Sequence, residues 1–180
     1  KFLDKYQIQS IVHLAGVSSV EASFDDPIKD ANSNIISTVN LLNFAKRKNI
    51  KNFVYASSMC VYGNLKNNVK ETQKTVPISF YGLSKITAEN YINFLNTPKT
   101  SRIILRLFNV YGPGADKSNE KHGMFGIFFN QILRKKKILV KGSLSRYRDF
   151  VYIDDVLSII IKSMMIKDNK SHTFNVCTSK

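Results

Sequence analysis

The sequence predicts an α/β fold built on a mostly parallel sheet with helices on both faces. Three observations predict it. Short apolar runs suited to buried strands alternate with stretches of helical periodicity, the pattern of a parallel sheet. The residues that end those runs are small or polar: Gly16, Ser57, Ser58 and Asn109. Ligands of such sheets bind beyond the carboxyl ends of the strands, so these positions mark one edge as a candidate site. Finally, Tyr81 and Lys85 stand four apart at the start of a helical stretch, which places them on one helix face.

Taken in order, residues 8–15 read as a buried strand broken by Gly16, with Ser18 and Ser19 following. Asp25-Asp26-Pro27 opens a helix, with acids in its first turn and proline near its first position. Its expected apolar stripe is Ile28, Ala31, Ile35, Val39 and Leu42. Asn34 lies at the edge of that stripe, either facing solvent or reaching out to hold a neighbouring loop. Residues 53–56 form the next strand, with Ser57 and Ser58 at its carboxyl end. The helix over 81–95 has Ser79 as its cap and Pro77 as a stop before it, with Ile86, Asn90 and Phe94 as its repeating face. A strand over 102–108 ends in Asn109, and Tyr111-Gly112-Pro113-Gly114 marks a loop. A helix over 124–133, short strands at 138–141 and 150–153, a helix capped by Asp154-Asp155 and running through Met165, and a strand at 173–177 complete the reading.

The totals are those of one globular domain: 180 residues, 43% of them apolar, with no run long enough to span a membrane. No charged-then-apolar leader opens the chain, so a cytoplasmic protein is expected. Cys60 and Cys177 have neither metal nor redox spacing. The net charge of +14 raises the question of a polyanion partner. The lysines are scattered, however, and the one dense cluster, Arg134-Lys135-Lys136-Lys137, sits where cations suit a helix end. Nucleic-acid binding is therefore not expected.

Tyr81 and Lys85 carry the chemistry. A cation beside a phenol favours phenolate and lowers its pKa from about 10. The pair then makes a base able to take a proton from an alcohol. The spacing alone is cheap: Tyr62 and Lys66 share it, among Gly63, Asn64, Asn67 and Asn68, which read as a loop that fixes no geometry.

Six segments decide the matter together: His13-Leu14-Ala15-Gly16, the stretch 34–42, Ser57-Ser58-Met59-Cys60-Val61-Tyr62-Gly63, Tyr81-Gly82-Leu83-Ser84-Lys85, Arg106-Leu107-Phe108-Asn109-Val110-Tyr111-Gly112-Pro113, and Arg148-Asp149-Phe150-Val151-Tyr152-Ile153-Asp154-Asp155. In this order they resemble the extended short-chain dehydrogenase/reductase family, in particular its NAD-dependent nucleotide-sugar epimerases of the UDP-glucose 4-epimerase type.

The resemblance implies a Rossmann-like, doubly wound and incomplete sheet with part of a small substrate-binding lobe. Residues 1–110 would be the C-terminal part of the NAD-binding domain, 111–147 a segment of the lobe, and 148–180 a return to the NAD-binding domain. It implies that Leu14, Ala15, Gly16, Val17 and Ser18 pass beside NAD, with Asn34 holding that backbone and Phe108 bordering the nicotinamide. Ser58 would hydrogen-bond the reacting hydroxyl, Tyr81 would be the base, and Lys85 would lower its pKa and hold the nicotinamide ribose. Asn109 and Arg148 would bind the nucleotide-sugar, a UDP-sugar. A homodimer through the Asn34 and Tyr81 helices is implied too, while Glu89 would pair with a lysine.

Two departures shape the expectation. The glycine-rich phosphate-binding turn of the family is absent, so the chain reads as the catalytic middle of a longer protein, inactive alone. The acids used by the 4,6-dehydratases are replaced by Met59 and Cys60, which disfavours elimination of water. Cys60 and His122 stand near places where GDP-fucose synthases carry a cysteine and a histidine, which makes an epimerase/reductase of that kind the alternative. A non-catalytic scaffold is the other.

Overall fold

The structure is a computed structural model and describes residues 5–64, 69–95, 99–114, 124–135, 137–140, 143–145 and 147–178. Lys66, His122, Lys136 and Lys141 lie outside the described residues. Four strands, β1 (Ser10–His13), β2 (Asn52–Ser58), β3 (Ser101–Leu107) and β6 (Ser171–Val176), pair in the order β1-β2-β3-β6, all parallel. Two further strands, β4 (Asn109–Tyr111) and β5 (Phe150–Tyr152), form a separate parallel pair. The helices are α1 (Val20–Asp25), α2 (Pro27–Ala31), α3 (Ser37–Lys48), α4 (Phe80–Phe94), α5 (Met124–Lys135) and α6 (Ile153–Ser163). A π-helical segment, Asn32–Ile36, joins α2 to α3, and a 3-10 turn, Met59–Tyr62, follows β2.

Alternation along the strands builds a core on each face of the sheet. Phe53 and Tyr55 of β2 and Ile104 of β3 pack with Leu42 and Ala45 of α3 and Ala88 and Ile92 of α4. On the opposite face, Val54, Ile103 and Leu105 pack with Val156 and Ile160 of α6 and with Val151 and Val176. The expected α/β class with helices on both sides is what the structure shows. No helix among the described residues is long and apolar enough to cross a membrane.

Several expected details differ. Residues 137–140 form no strand, Asn109 opens a separate strand β4 that runs into the expected loop at Tyr111, and α1 is an element the sequence pattern does not predict. Ser19 caps α1 by accepting from the Ala22 N–H at 3.1 Å. Asp154 and Asp155 fall in the first turn of α6 rather than at its cap, where Tyr152 stands. That placement suits the positive end of the helix dipole.

The two helices nearest the site bury faces other than the apolar ones. Ile28 is exposed, and the buried line from α2 to α3 runs Asp30, Asn34, Thr38, Leu42, Ala45. On α4, Phe94 is exposed while Tyr81, Gly82, Ser84, Lys85, Ala88, Glu89 and Ile92 are buried. Polar side chains go inside here because each finds a partner there, which removes the desolvation penalty that would otherwise expel it.

The start of α4 is set by Ser79, whose Oγ accepts from the Gly82 N–H at 3.0 Å. Ser79→Ala removes that acceptor. A destabilisation of about 1 kcal/mol is expected, read as a lower denaturant midpoint at unchanged slope.

Candidate active site

The site stands at the carboxyl ends of β1, β2 and β3. Tyr81, Lys85 and Ser58 come together there, and all three are buried. Lys85 Nζ donates to the Ala56 carbonyl at 2.9 Å, and lies 4.9 Å from the Tyr55 ring centroid and 5.7 Å from that of Tyr81. Ser58 ends β2, lies close enough to the Tyr81 hydroxyl to favour its ionised form and accepts the Cys60 N–H at 3.2 Å. Gly82 explains how the 3-10 turn can lie so close: a Cβ there would sit 2.5 Å from the Cys60 carbonyl oxygen. Any side chain at this position would push α4 off the turn that carries Ser58 toward the phenol.

Beside this cluster runs the segment after β1. Leu14, Ala15, Gly16 and Ser18 are exposed and Val17 half-buried, so the backbone presents an open ledge. Asn34, 1% exposed, holds it: Nδ2 donates to the Val17 carbonyl at 3.1 Å and to Asp30 Oδ1 at 2.9 Å. Gly16 has φ +148, and a Cβ there would lie 2.2 Å from Asn34 Oδ1. Only glycine meets both conditions. Phe108 follows β3, half-buried, its N–H bonded to the Val176 carbonyl at 3.1 Å. Asn109 Nδ2 donates to the Asp149 carbonyl at 2.8 Å, tying β4 to β5. Arg148 stays exposed, its Nη1 on the Tyr147 carbonyl at 3.1 Å.

Electrostatics corrects one expectation. Burial pushes the Tyr81 phenol up to about 12, with Ser58 pulling down and Cys60 and Asp30 pushing up. The Lys85 ammonium does not reverse this. Burial brings Lys85 itself down to about 8, against the pull of Asp30 and Glu89. In this chain alone burial favours the neutral phenol, and a further positive charge nearby would favour phenolate.

Sequence reading missed three groups around the cluster. Asp30, buried, lies one helical turn before Asn34 and receives its amide. Glu89 pairs with Arg106 at 2.7 Å rather than with a lysine. Tyr62 is no loop residue: it is buried and donates its hydroxyl to Asn175 Oδ1 at 2.6 Å.

His13 adds a pH dependence. Its Nε2 lies 2.9 Å from Thr38 Oγ1, which donates its own proton to the Asn34 carbonyl, so Nε2 carries the hydrogen. Burial first, and Lys85 second, lower its pKa from 6.5 to about 4. A depressed folded-state pKa gives stability that is present above 6.5 and lost as pH falls through about 4. The expected loss is at most about 3 kcal/mol. His13→Gln, which keeps an N–H for Thr38, should flatten that acid slope in denaturant titrations.

A parallel α/β sheet with a buried Tyr–Lys pair and a serine at its carboxyl edge is the arrangement expected of the short-chain dehydrogenase/reductase class. The chain belongs to the NAD dependent epimerase/dehydratase family, whose sequence model matches residues 1–177. It is 32% identical to a putative UDP-glucose 4-epimerase of Methanocaldococcus jannaschii, over 96% of this chain and 56% of that protein. The crystal structure of UDP-glucose 4-epimerase from Thermotoga maritima with UDP-glucose superposes with a TM-score of 0.90 at 32% identity, over 99% of this chain and 58% of that one. The Thermus thermophilus UDP-glucose 4-epimerase complex with NAD gives a TM-score of 0.86 at 26% identity, over 99% and 59%. The chain thus spans a little over half the length of the relatives it matches.

The family's cofactor is NAD. The residues present fit one flank of such a group: an open glycine-bearing ledge at 14–18 beside a lysine ammonium and a phenol.

Proposed function

We propose that the protein carrying this chain is an NAD-dependent nucleotide-sugar 4-epimerase of the UDP-glucose/UDP-galactose type. The observation that carries the reading is the Tyr81–Ser58–Lys85 cluster at the strand ends, buried and flanked by the exposed ledge at 14–18. Residues 14–18 and Asn34 would hold NAD on one side, Lys85 its ribose and Phe108 its nicotinamide. When bound, NAD supplies the hydride acceptor and donor for C4 of the sugar.

Tyr81 takes the proton of the sugar 4-hydroxyl as C4 becomes a ketone, and returns it afterwards. Ser58 holds that hydroxyl by a hydrogen bond. Lys85 and the positive charge of the oxidised cofactor together favour the phenolate that burial otherwise disfavours. Asn109 and Arg148 meet the nucleotide-sugar, Arg148 through a phosphate oxygen that suits its planar fork. The proof is chemical. Denaturing the purified full-length protein should release NAD, and the native protein should interconvert UDP-glucose and UDP-galactose. Bound NAD without that turnover would move the substrate to another nucleotide-sugar, and no NAD would refute the reading.

One observation favours a second reading, the GDP-fucose-synthase-like epimerase/reductase. Cys60 stands in the 3-10 turn that packs on α4 at Gly82, its N–H on Ser58 Oγ at 3.2 Å, so its side chain is placed to move protons on carbons flanking a ketone. Cys60→Ser separates the two: it should leave UDP-glucose/UDP-galactose turnover within about threefold on the first reading and abolish epimerisation on the second.

The protein is further proposed to act as a homodimer through the outward faces of the α2–α3 and α4 helices. Ile28, Ile36, Leu83, Tyr91 and Phe94 are exposed there, more apolar surface than a solvent face needs. Leu83→Glu should convert a dimer to monomer in sedimentation measurements.

A further inference from the structure

One turn below the reacting groups, the sheet carries a polar row. Ser57 of β2 pairs in register with Arg106 of β3, and Arg106 with Asn175 of β6. Alternation puts Ser57 on the α4 side with Phe53 and Tyr55, and Arg106 there with Ile104. Glu89 of α4 plugs into this row. Its carboxylate receives Arg106 Nε at 3.0 Å and Arg106 Nη2 at 2.7 Å, and accepts the Ser57 hydroxyl at 2.5 Å. Arg106 Nη1 reaches the Tyr62 hydroxyl at 2.8 Å, and the guanidinium lies 4.8 Å from the Tyr62 ring centroid. Glu89 is 1% and Arg106 6% exposed, so the pair has little water to lean on.

The spacing is the telling feature. Tyr81, Lys85 and Glu89 follow one another at four-residue intervals on one face of α4. They meet Ser58, the Ala56 carbonyl and Ser57 respectively. Three consecutive residues of β2 are therefore held by three consecutive turns of one helix. Two of those contacts belong to the reacting groups, and the third is the only one of the three made by a residue anchored through an ion pair to the next strand.

We propose that Glu89, anchored by Arg106, is a positioning residue of the active site: by holding Ser57 it fixes Ser58 and Lys85 in the geometry that Tyr81 needs. The proposal rests on the reading of Tyr81, Ser58 and Lys85 as the reacting group set. A helix held only by apolar packing can slide or tilt by fractions of an ångström. A charged carboxylate gripping both a strand hydroxyl and a guanidinium fork has few alternative arrangements. Misplacement of about 1 Å costs on the order of 100-fold in rate, so a device of this kind acts on turnover more than on binding.

The test uses the full-length protein, with Ser57→Ala and Glu89→Gln measured beside wild type. Ser57→Ala keeps the ion pair and the fold. It should lower kcat roughly 10- to 100-fold with KM nearly unchanged. A second readout needs no turnover: the Cε resonance of Lys85 followed against pH. Lys85 faces Asp30 of α2, His13 of β1, Tyr55 of β2, and Tyr81 and Glu89 of its own helix. In Glu89→Gln its midpoint should fall below the wild-type value of about 8, because one of the two carboxylates that support its charge is gone. In Ser57→Ala the resonance itself should shift at constant midpoint. Wild-type kcat in Ser57→Ala together with an unmoved Lys85 signal in both variants overturns the proposal. Absence of turnover in wild type itself refutes the epimerase reading instead, and the Lys85 signal then decides the positioning role alone.

Discussion

Turnover of UDP-glucose by the full-length protein should fall about a thousandfold in Tyr81→Phe, with KM and bound NAD nearly unchanged. General acid–base groups contribute roughly 10²- to 10⁴-fold, and Tyr81 is the one group that meets Ser58 and stands near Lys85 at the strand ends. The ring of phenylalanine fills the same space, so α4 keeps its seat and the loss is chemical rather than structural. The pH dependence has a defined sign. Burial holds the phenol near 12 in this chain, so a rate that needs phenolate rises with pH. Oxidised NAD should displace that midpoint downward, which phenolate absorbance titrations with and without the cofactor would record. An unchanged midpoint would mean that the cofactor's charge does not reach Tyr81.

The largest stability effect is expected at Arg106. Arg106→Met leaves the Glu89 carboxylate buried without its cation, and leaves the Tyr62 hydroxyl without one of its partners. Breaking one side of a buried ion pair costs about 3–5 kcal/mol, a large fraction of the stability of an ordinary domain. Removing both charges together, with Glu89→Met added, should recover much of this, because the penalty comes from the stranded charge rather than from the lost attraction. Denaturant unfolding of the two variants measures the difference. Equal instability in both would mean that packing, not charge, dominates at this position.

The strands were legible because buried parallel strands are continuous apolar runs: residues 52–58, 101–107 and 171–176 stand close to where the pattern placed them. The motif residues Ser58, Tyr81 and Lys85 were legible because they lie at those strand ends or on the first turns of a well-capped helix. The inward face of α4 was not. Hydrophobic periodicity ranks Lys85 and Glu89 as solvent residues, and only the tertiary fold supplies what lets them go inside: the Ala56 carbonyl for Lys85, and Ser57 in register with Arg106 for Glu89. The same holds for Asp30 and Asn34, whose buried line follows a π-helical segment that no 3.6-residue pattern anticipates. Tyr62 was misread because Gly63 and its asparagine neighbours signal a turn, and the turn is indeed there. The tyrosine ahead of it closes on Asn175 from a strand 113 positions away.

The most direct measurement of the central claim follows deuterium placed at C4 of UDP-galactose through conversion by the full-length protein. On the proposed reading the hydroxyl proton passes to Tyr81 and the C4 deuterium leaves as hydride, which bound NAD would hold and return to the same carbon, so the label should remain at C4 in the UDP-glucose formed. Loss of deuterium to solvent would contradict the account and place the proton chemistry on a carbon of the sugar; retained turnover in Tyr81→Phe would contradict the role of Tyr81 as the base.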